Sequence, residues 1–73
     1  DSATESIQGV LEDMKASGIE LWFRAVLFEM YVQEPNYSEL ARQTQIPRTS
    51  ISKAVEEAKA YIQETLANNN YNL

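Results

Sequence analysis

Residues 37–55 read YSELARQTQIPRTSISKAV, and how this stretch divides decides the fold. Asn36 can cap a helix start, with Glu39 three residues later in the capping-box position and Leu40 and Ala41 turned inward. The helical pattern breaks over Gln45-Ile46-Pro47, and Pro47 suits the first turn of the next helix, where its missing N–H is no loss. Ile51 and Val55 then resume at the spacing of one helix face. The inward positions have steric reasons. Leu40 anchors the first helix, Ala41 is small where the two helices cross closely, Ile46 plugs the space beneath the turn, and Ile51 and Val55 fix the second helix from below. That leaves Arg48, Thr49, Ser52, Lys53 and, one turn further, Glu56 facing outward.

Outward from this stretch the helical pattern continues both ways. Ala58, Ile62 and Leu66 extend the last helix at intervals of three and four to near Ala67, followed by an Asn-rich tail, 68–73, that is expected to fray. Upstream, Ile19, Trp22, Phe23, Val26, Leu27, Met30 and Tyr31 trace one stripe of a central helix, and Leu21, Ala25, Phe28 and Val32 a second. A helix apolar over so much of its circumference is buried on several sides or offers one side to another chain. The aromatic residues Trp22, Phe23 and Phe28 are read as core, because at helical spacing that is their usual role. Pro35 ends this helix near Glu34. Further upstream, Ser2 and Glu5 have capping-box spacing before Ile7, Val10, Leu11 and Met14. Gly18 suits a left-handed helix end, and Ser17 suits capping of the next start.

The expected architecture is therefore all-α: a four-helix domain over 1–67, with helices at about 3–16, 19–34, 37–44 and 48–67. The last three form the three-helix core of a helix-turn-helix, and the first packs across it. No strand pair follows the fourth helix, so no wing is expected.

Composition bounds the function. The 73 residues contain no cysteine and no histidine, which excludes disulfides, thiol nucleophiles and most zinc sites, so neither metal nor cofactor is expected. Ser50 and Ser52 have no nearby base, and adjacent acids such as Glu12-Asp13 and Glu56-Glu57 do not face each other on a helix. Catalysis is not expected. No apolar run reaches the roughly 20 residues of a bilayer span, and the amino terminus lacks a secretory pattern. The expected setting is cytoplasmic, in a bacterial or phage-infected cell, with no membrane partner. Net charge is -5, yet residues 40–55 carry Arg42, Arg48 and Lys53 and no acid, leaving three cations against eleven acids elsewhere.

That segregation suits double-stranded DNA as the partner. At the start of a helix lying in the major groove, Arg48 can fork onto guanine or hold a phosphate, and Thr49 and Ser52 can bond base edges or backbone. Lys53 and Arg42 are placed for phosphate contacts, and Ser38 and Tyr37 for neutral bonds where the first helix of the pair nears the backbone. The N–H groups near residues 47–50 also favour an anion.

Tyr37, Glu39-Leu40-Ala41, Ile46 and Ser50-Ile51, with Ala58-Lys59 further on, resemble the helix-turn-helix of bacterial sigma-factor region 4 and related phage regulators over about residues 26–62. The resemblance implies DNA contact by Arg48, Thr49, Ser52 and Lys53. Two positions differ from that pattern. Gln45 replaces the usual turn glycine and must adopt the backbone shape glycine takes easily, and Ala54 stands where a base is common. The chain also resembles the DNA-binding domain of phage small terminase subunits, which implies DNA-packaging recognition beside helices that assemble rings. The alternative reading is a protein-interaction or oligomerisation module that keeps the helix-turn-helix shape. It would self-associate through Leu21, Phe28 and Val32 or meet a basic partner at the acidic face of Glu12, Asp13 and Glu20.

Overall fold

A computed structural model describes the backbone of residues 2–68 and the side chains from Glu5 to Asn68. It contains four helices, α1 (Ser2–Ala16), α2 (Ile19–Gln33), α3 (Tyr37–Thr44) and α4 (Arg48–Asn68), and no strand among the described residues. The fold is all-α. The expected Ser2 cap, which needs that side chain, and the expected fraying of 69–73 lie outside the described residues; Asn68 still belongs to α4.

The helix ends follow local chemistry. Glu34, ahead of Pro35, is extended at φ -134°, and its N–H closes the last turn of α2 on the Met30 carbonyl. The Asn36 side chain accepts from the Glu39 N–H at 3.1 Å and caps α3. The return half of the capping box is not made, because the Asn36 N–H donates to the Glu34 carbonyl and the Glu39 carboxylate turns toward Arg42. Gln45 does take the left-handed shape, at φ 60° and ψ 25°, with its N–H on the Ala41 carbonyl. The Thr44 hydroxyl donates to the Leu40 carbonyl at 2.7 Å and accepts the Ile46 N–H at 3.3 Å, which holds the turn from both sides.

At the α1–α2 corner two expectations are corrected. Gly18 lies at φ 119°, ψ 166°, a region open essentially only to glycine, rather than in the left-handed helical well. Ser17 does not cap α2; its hydroxyl donates back to the Asp13 carbonyl at 2.6 Å, where it satisfies an end-of-helix acceptor of α1.

Burial divides into two clusters that share α2 and α4. Val10, Leu11 and Met14 of α1 meet Ala25 of α2 and Ala58, Ile62 and Leu66 of α4 in the first. In the second, Leu40 of α3 meets Leu27 of α2 and Ile51, Ala54 and Val55 of α4, with Ile46 packed beneath the turn. Phe28 touches both. Thus α4 presents the same inward face to α3 along its first half and to α1 along its second. Ala54 is 4% exposed, so the position where the resembled pattern has a basic residue is part of the core here.

Each of the two stripes of α2 is split: Leu27 of the first is buried, and Val32 of the second is 63% exposed. Leu21, Ala25 and Phe28 turn into the core under α1, while Ile19 (74%), Trp22 (43%) and Phe23 (36%) stay exposed. The reason is angular: Leu27, Phe28 and Ala25 span the arc claimed by α1, α3 and α4, and Trp22 and Phe23 fall on the arc left over. The core reading of Trp22 and Phe23 is therefore overturned. Partly exposed ion pairs set helix orientation more than stability: Lys15–Glu29 at 2.8 Å joins α1 to α2, and Arg24–Glu57 at 3.4 Å joins α2 to α4. No helix among the described residues is long and apolar enough to cross a membrane.

The two positive-φ residues should respond in opposite directions to substitution. A Cβ at Gly18 meets nothing within 4 Å, so Gly18→Ala should lose about 1–3 kcal/mol through the backbone alone. Gln45→Gly should gain up to about 1 kcal/mol by relieving the left-handed strain, less the extra freedom of the unfolded chain. Urea denaturation of both variants checks the pair.

Candidate nucleic-acid interface

Pro47 is the hinge of the candidate site. Its carbonyl accepts from the Ser50 N–H at 3.0 Å and the Ile51 N–H at 3.1 Å, so α4 starts directly at Arg48. Ser50 spends its N–H on that carbonyl and Pro47 has none. The anion-attracting groups therefore narrow from the expected 47–50 to the N–H groups of Arg48 and Thr49. Ile51 and Val55, both 0% exposed, clamp the underside of these two turns and fix which side faces out.

Five of the seven expected DNA-contacting residues share one surface depression: Tyr37, Arg48, Thr49, Ser52 and Lys53 line it. Arg48, Thr49 and Lys53 are exposed and Ser52 is half-buried. Tyr37 forms the wall contributed by α3. Its ring stacks on Tyr31 at 4.7 Å between centroids, and the Lys59 ammonium lies 5.3 Å from the Tyr31 centroid. Burial, then the neighbouring Tyr31, raises the Tyr37 hydroxyl above its ordinary pKa, so it is a neutral donor at physiological pH. The stack makes Tyr37 a rigid edge of the depression.

Ser38 and Arg42 lie outside it. Both are exposed on α3, and Arg42 is occupied: its Nε donates to the Glu39 carboxylate at 3.0 Å, a second guanidinium nitrogen bonds the other oxygen, and Gln43 adds a bond at 3.1 Å. The Arg42 and Gln43 bonds hold the Glu39 carboxyl below its ordinary pKa, and Glu39 in turn raises Arg42. Sequence reasoning treated Arg42 as a free phosphate contact. The signal that would have shown otherwise is the i,i+3 spacing of Glu39 and Arg42 on one helix.

Charge pairing sorts the remaining cations. Lys15 holds Glu29, Arg24 holds Glu57, Arg42 holds Glu39 and Lys59 holds Glu56. Of the six cations in the chain, Arg48 and Lys53 are the two with no carboxylate partner among the described residues. The acids nearest along α4, Glu56 and Glu57, are each matched by a cation, so the first two turns of α4 keep a local charge of +2 in a chain of net -5.

Lys53 also borders a second depression, with Glu20, Phe23, Arg24, Ser50, Ala54 and Glu57, on the flank of α4 that faces α2. The exposed acids Glu12, Asp13 and Glu20 are divided between α1 and α2. Of the expected self-association residues, Leu21 and Phe28 pack inward and only Val32, 63% exposed, lies free. Val32 and Phe28 line a groove with Ile7 and Leu11 of α1. The described residues hold no cluster of three or more acidic side chains able to ligate a metal ion. No family model, curated protein or solved structure matches the chain.

The Glu39 pair gives a pH dependence with a definite sign. A carboxyl whose pKa is lowered on folding adds stability that is complete above the ordinary glutamate pKa and is lost as pH falls through the lowered one. In urea titrations at successive pH values, the stability difference between the wild type and Glu39→Gln should shrink through the acid range and vanish below it.

Proposed function

We propose that this domain binds duplex DNA, without catalysis, through the outward side of the first two turns of α4. Arg48 faces base edges or the phosphate beside them, Thr49 and Ser52 add short polar contacts, and Lys53 holds a phosphate. The observation that carries this reading is the pairing pattern: Arg48 and Lys53 alone lack a carboxylate partner among the described residues, and they border the same depression. The sequence resemblance to sigma-factor region 4 and to phage small terminase subunits supports sequence-reading regulation or DNA-packaging recognition as the role.

Magnitudes favour local charge over net charge. Screening falls to a Debye length of about 8 Å at physiological salt. The acids of α1 are then largely hidden from a phosphate at Arg48, whereas a phosphate touching Arg48 or Lys53 is not screened from it. Two free cations still make a modest electrostatic anchor, so binding by one copy is expected to be weak and its salt dependence shallow.

Fluorescence anisotropy of a labelled mixed-sequence duplex tests this. Two phosphate contacts give a log-log salt slope of about -2, and Arg48→Ala or Lys53→Ala should each reduce it by about 1. Glu39→Gln releases Arg42 and should steepen the slope toward about -3. Absence of binding at low salt, or binding indifferent to Arg48→Ala and Lys53→Ala, would overturn the reading.

A further inference from the structure

Glu56 is an acid on the outward side of α4 that the DNA reading leaves without a role. It stands one turn beyond Ser52 and Lys53, and its side chain is 63% exposed. It belongs to neither core cluster. Its ion pair, with Lys59 at 3.2 Å, runs along the same helix, so unlike Glu29 and Glu57 it ties no two helices together. Beyond burial and the neighbouring Tyr31, the Tyr37 hydroxyl also feels the charges of Lys59 and Glu56. The pair therefore borders the wall of the depression that Tyr37 shares with Arg48, Thr49, Ser52 and Lys53. A carboxylate there repels phosphate, and nothing in the packing asks for it.

Helix geometry sets what Glu56 can reach. It follows Arg48 by a rise of about 12 Å along α4, and the major groove is about 12 Å wide. With Arg48 at base edges, Glu56 is the last of the outward residues still over the groove. Lys59, about 16 Å from Arg48, comes between this carboxylate and the far phosphate rim, where its charge offsets the repulsion. The pair is neutral as a unit and leaves the salt slope to Arg48 and Lys53. A carboxylate only accepts hydrogen bonds. Guanine O6 and N7, adenine N7 and thymine O4 are acceptors and repel it, whereas cytosine presents its N4 amine in the major groove with no acceptor beside it.

We propose that Glu56 is a specificity-determining residue of this surface, accepting a hydrogen bond from the N4 amine of a cytosine in the major groove. The inference rests on the DNA reading above and sharpens it. Arg48 and Lys53 supply attraction to any duplex, and Glu56 withholds affinity wherever the base opposite it presents only acceptors. Well-placed contacts between a side chain and a base separate the right base from the wrong one by about 5- to 150-fold. An anchor of two cations, weak on any sequence, gains in this way a selectivity that charge alone does not supply.

Selection of duplexes from a randomised pool by the whole chain at low salt, followed by anisotropy titration of the selected duplex and its single-base-pair variants, tests this. The wild type should enrich cytosine at one position and lose about fivefold or more in affinity when that base pair is changed. Glu56→Gln should lose the preference and favour adenine there, because an amide pairs with adenine N6 and N7. Glu64→Gln, the same charge change at an exposed site further along α4, should keep cytosine. Circular dichroism verifies that both variants are folded. A wild type with no cytosine preference overturns the inference, as does a preference unmoved by Glu56→Gln or equally lost in Glu64→Gln. In those cases binding that still falls with Arg48→Ala and Lys53→Ala leaves the DNA reading standing. Retention of no duplex overturns both.

Discussion

The inward face of α4 is the constraint on which the other helices depend. Ile51, Val55, Ala58, Ile62 and Leu66 run along it, each 5% exposed or less, and α1, α2 and α3 all bury their own apolar residues against it. The one fully buried anchor of α3, Leu40, sits against this face and against Leu27 of α2. Truncating a side chain such as Ile51 removes about 2–5 kcal/mol, a large part of the 5–15 kcal/mol typical of whole domains. Clamping one face of the helix also dictates the other: with Ile51 and Val55 held below, Arg48, Thr49, Ser52 and Lys53 face water together.

Electrostatics then refines what packing has arranged. The chain is acidic, and most of its cations are occupied in pairs that join helices or cap turns. Lys15 and Arg24 reach across to neighbouring helices, and Arg42 and Lys59 reach back one turn along their own. Arg48 and Lys53 are the exceptions, at the end of α4 where unbonded N–H groups add partial positive charge. The site is small because so much positive charge is used elsewhere.

Much of this was legible in the sequence. The period of α4, from Ile51 to Leu66, marks its buried face directly, and Asn36, Pro35 and Pro47 bound α3 and the turn by mechanisms that act within a few residues. Gln45 stands where local propensity favours glycine, and the turn nonetheless holds it in the left-handed region. Less legible was the orientation of α2, which is apolar nearly all round. Periodicity cannot say which of two adjacent stripes turns inward when both are apolar; that depends on where α1 and α4 lie, a tertiary fact. Trp22 and Phe23 were misassigned for that reason. The Arg42 pair was hidden differently, since charge summed over a window of sequence ignores Glu39 just outside it.

The central claim is that the Arg48–Lys53 side of α4 is the DNA-binding surface. Its most direct test is amide chemical-shift mapping of the isotope-labelled chain titrated with a short duplex at low salt. The account expects the largest, salt-reversible changes at Arg48, Thr49, Ser52 and Lys53, with Tyr37 following through the wall it shares with them. Changes centred instead on Glu12, Asp13 and Glu20, or none at saturating duplex, would contradict it.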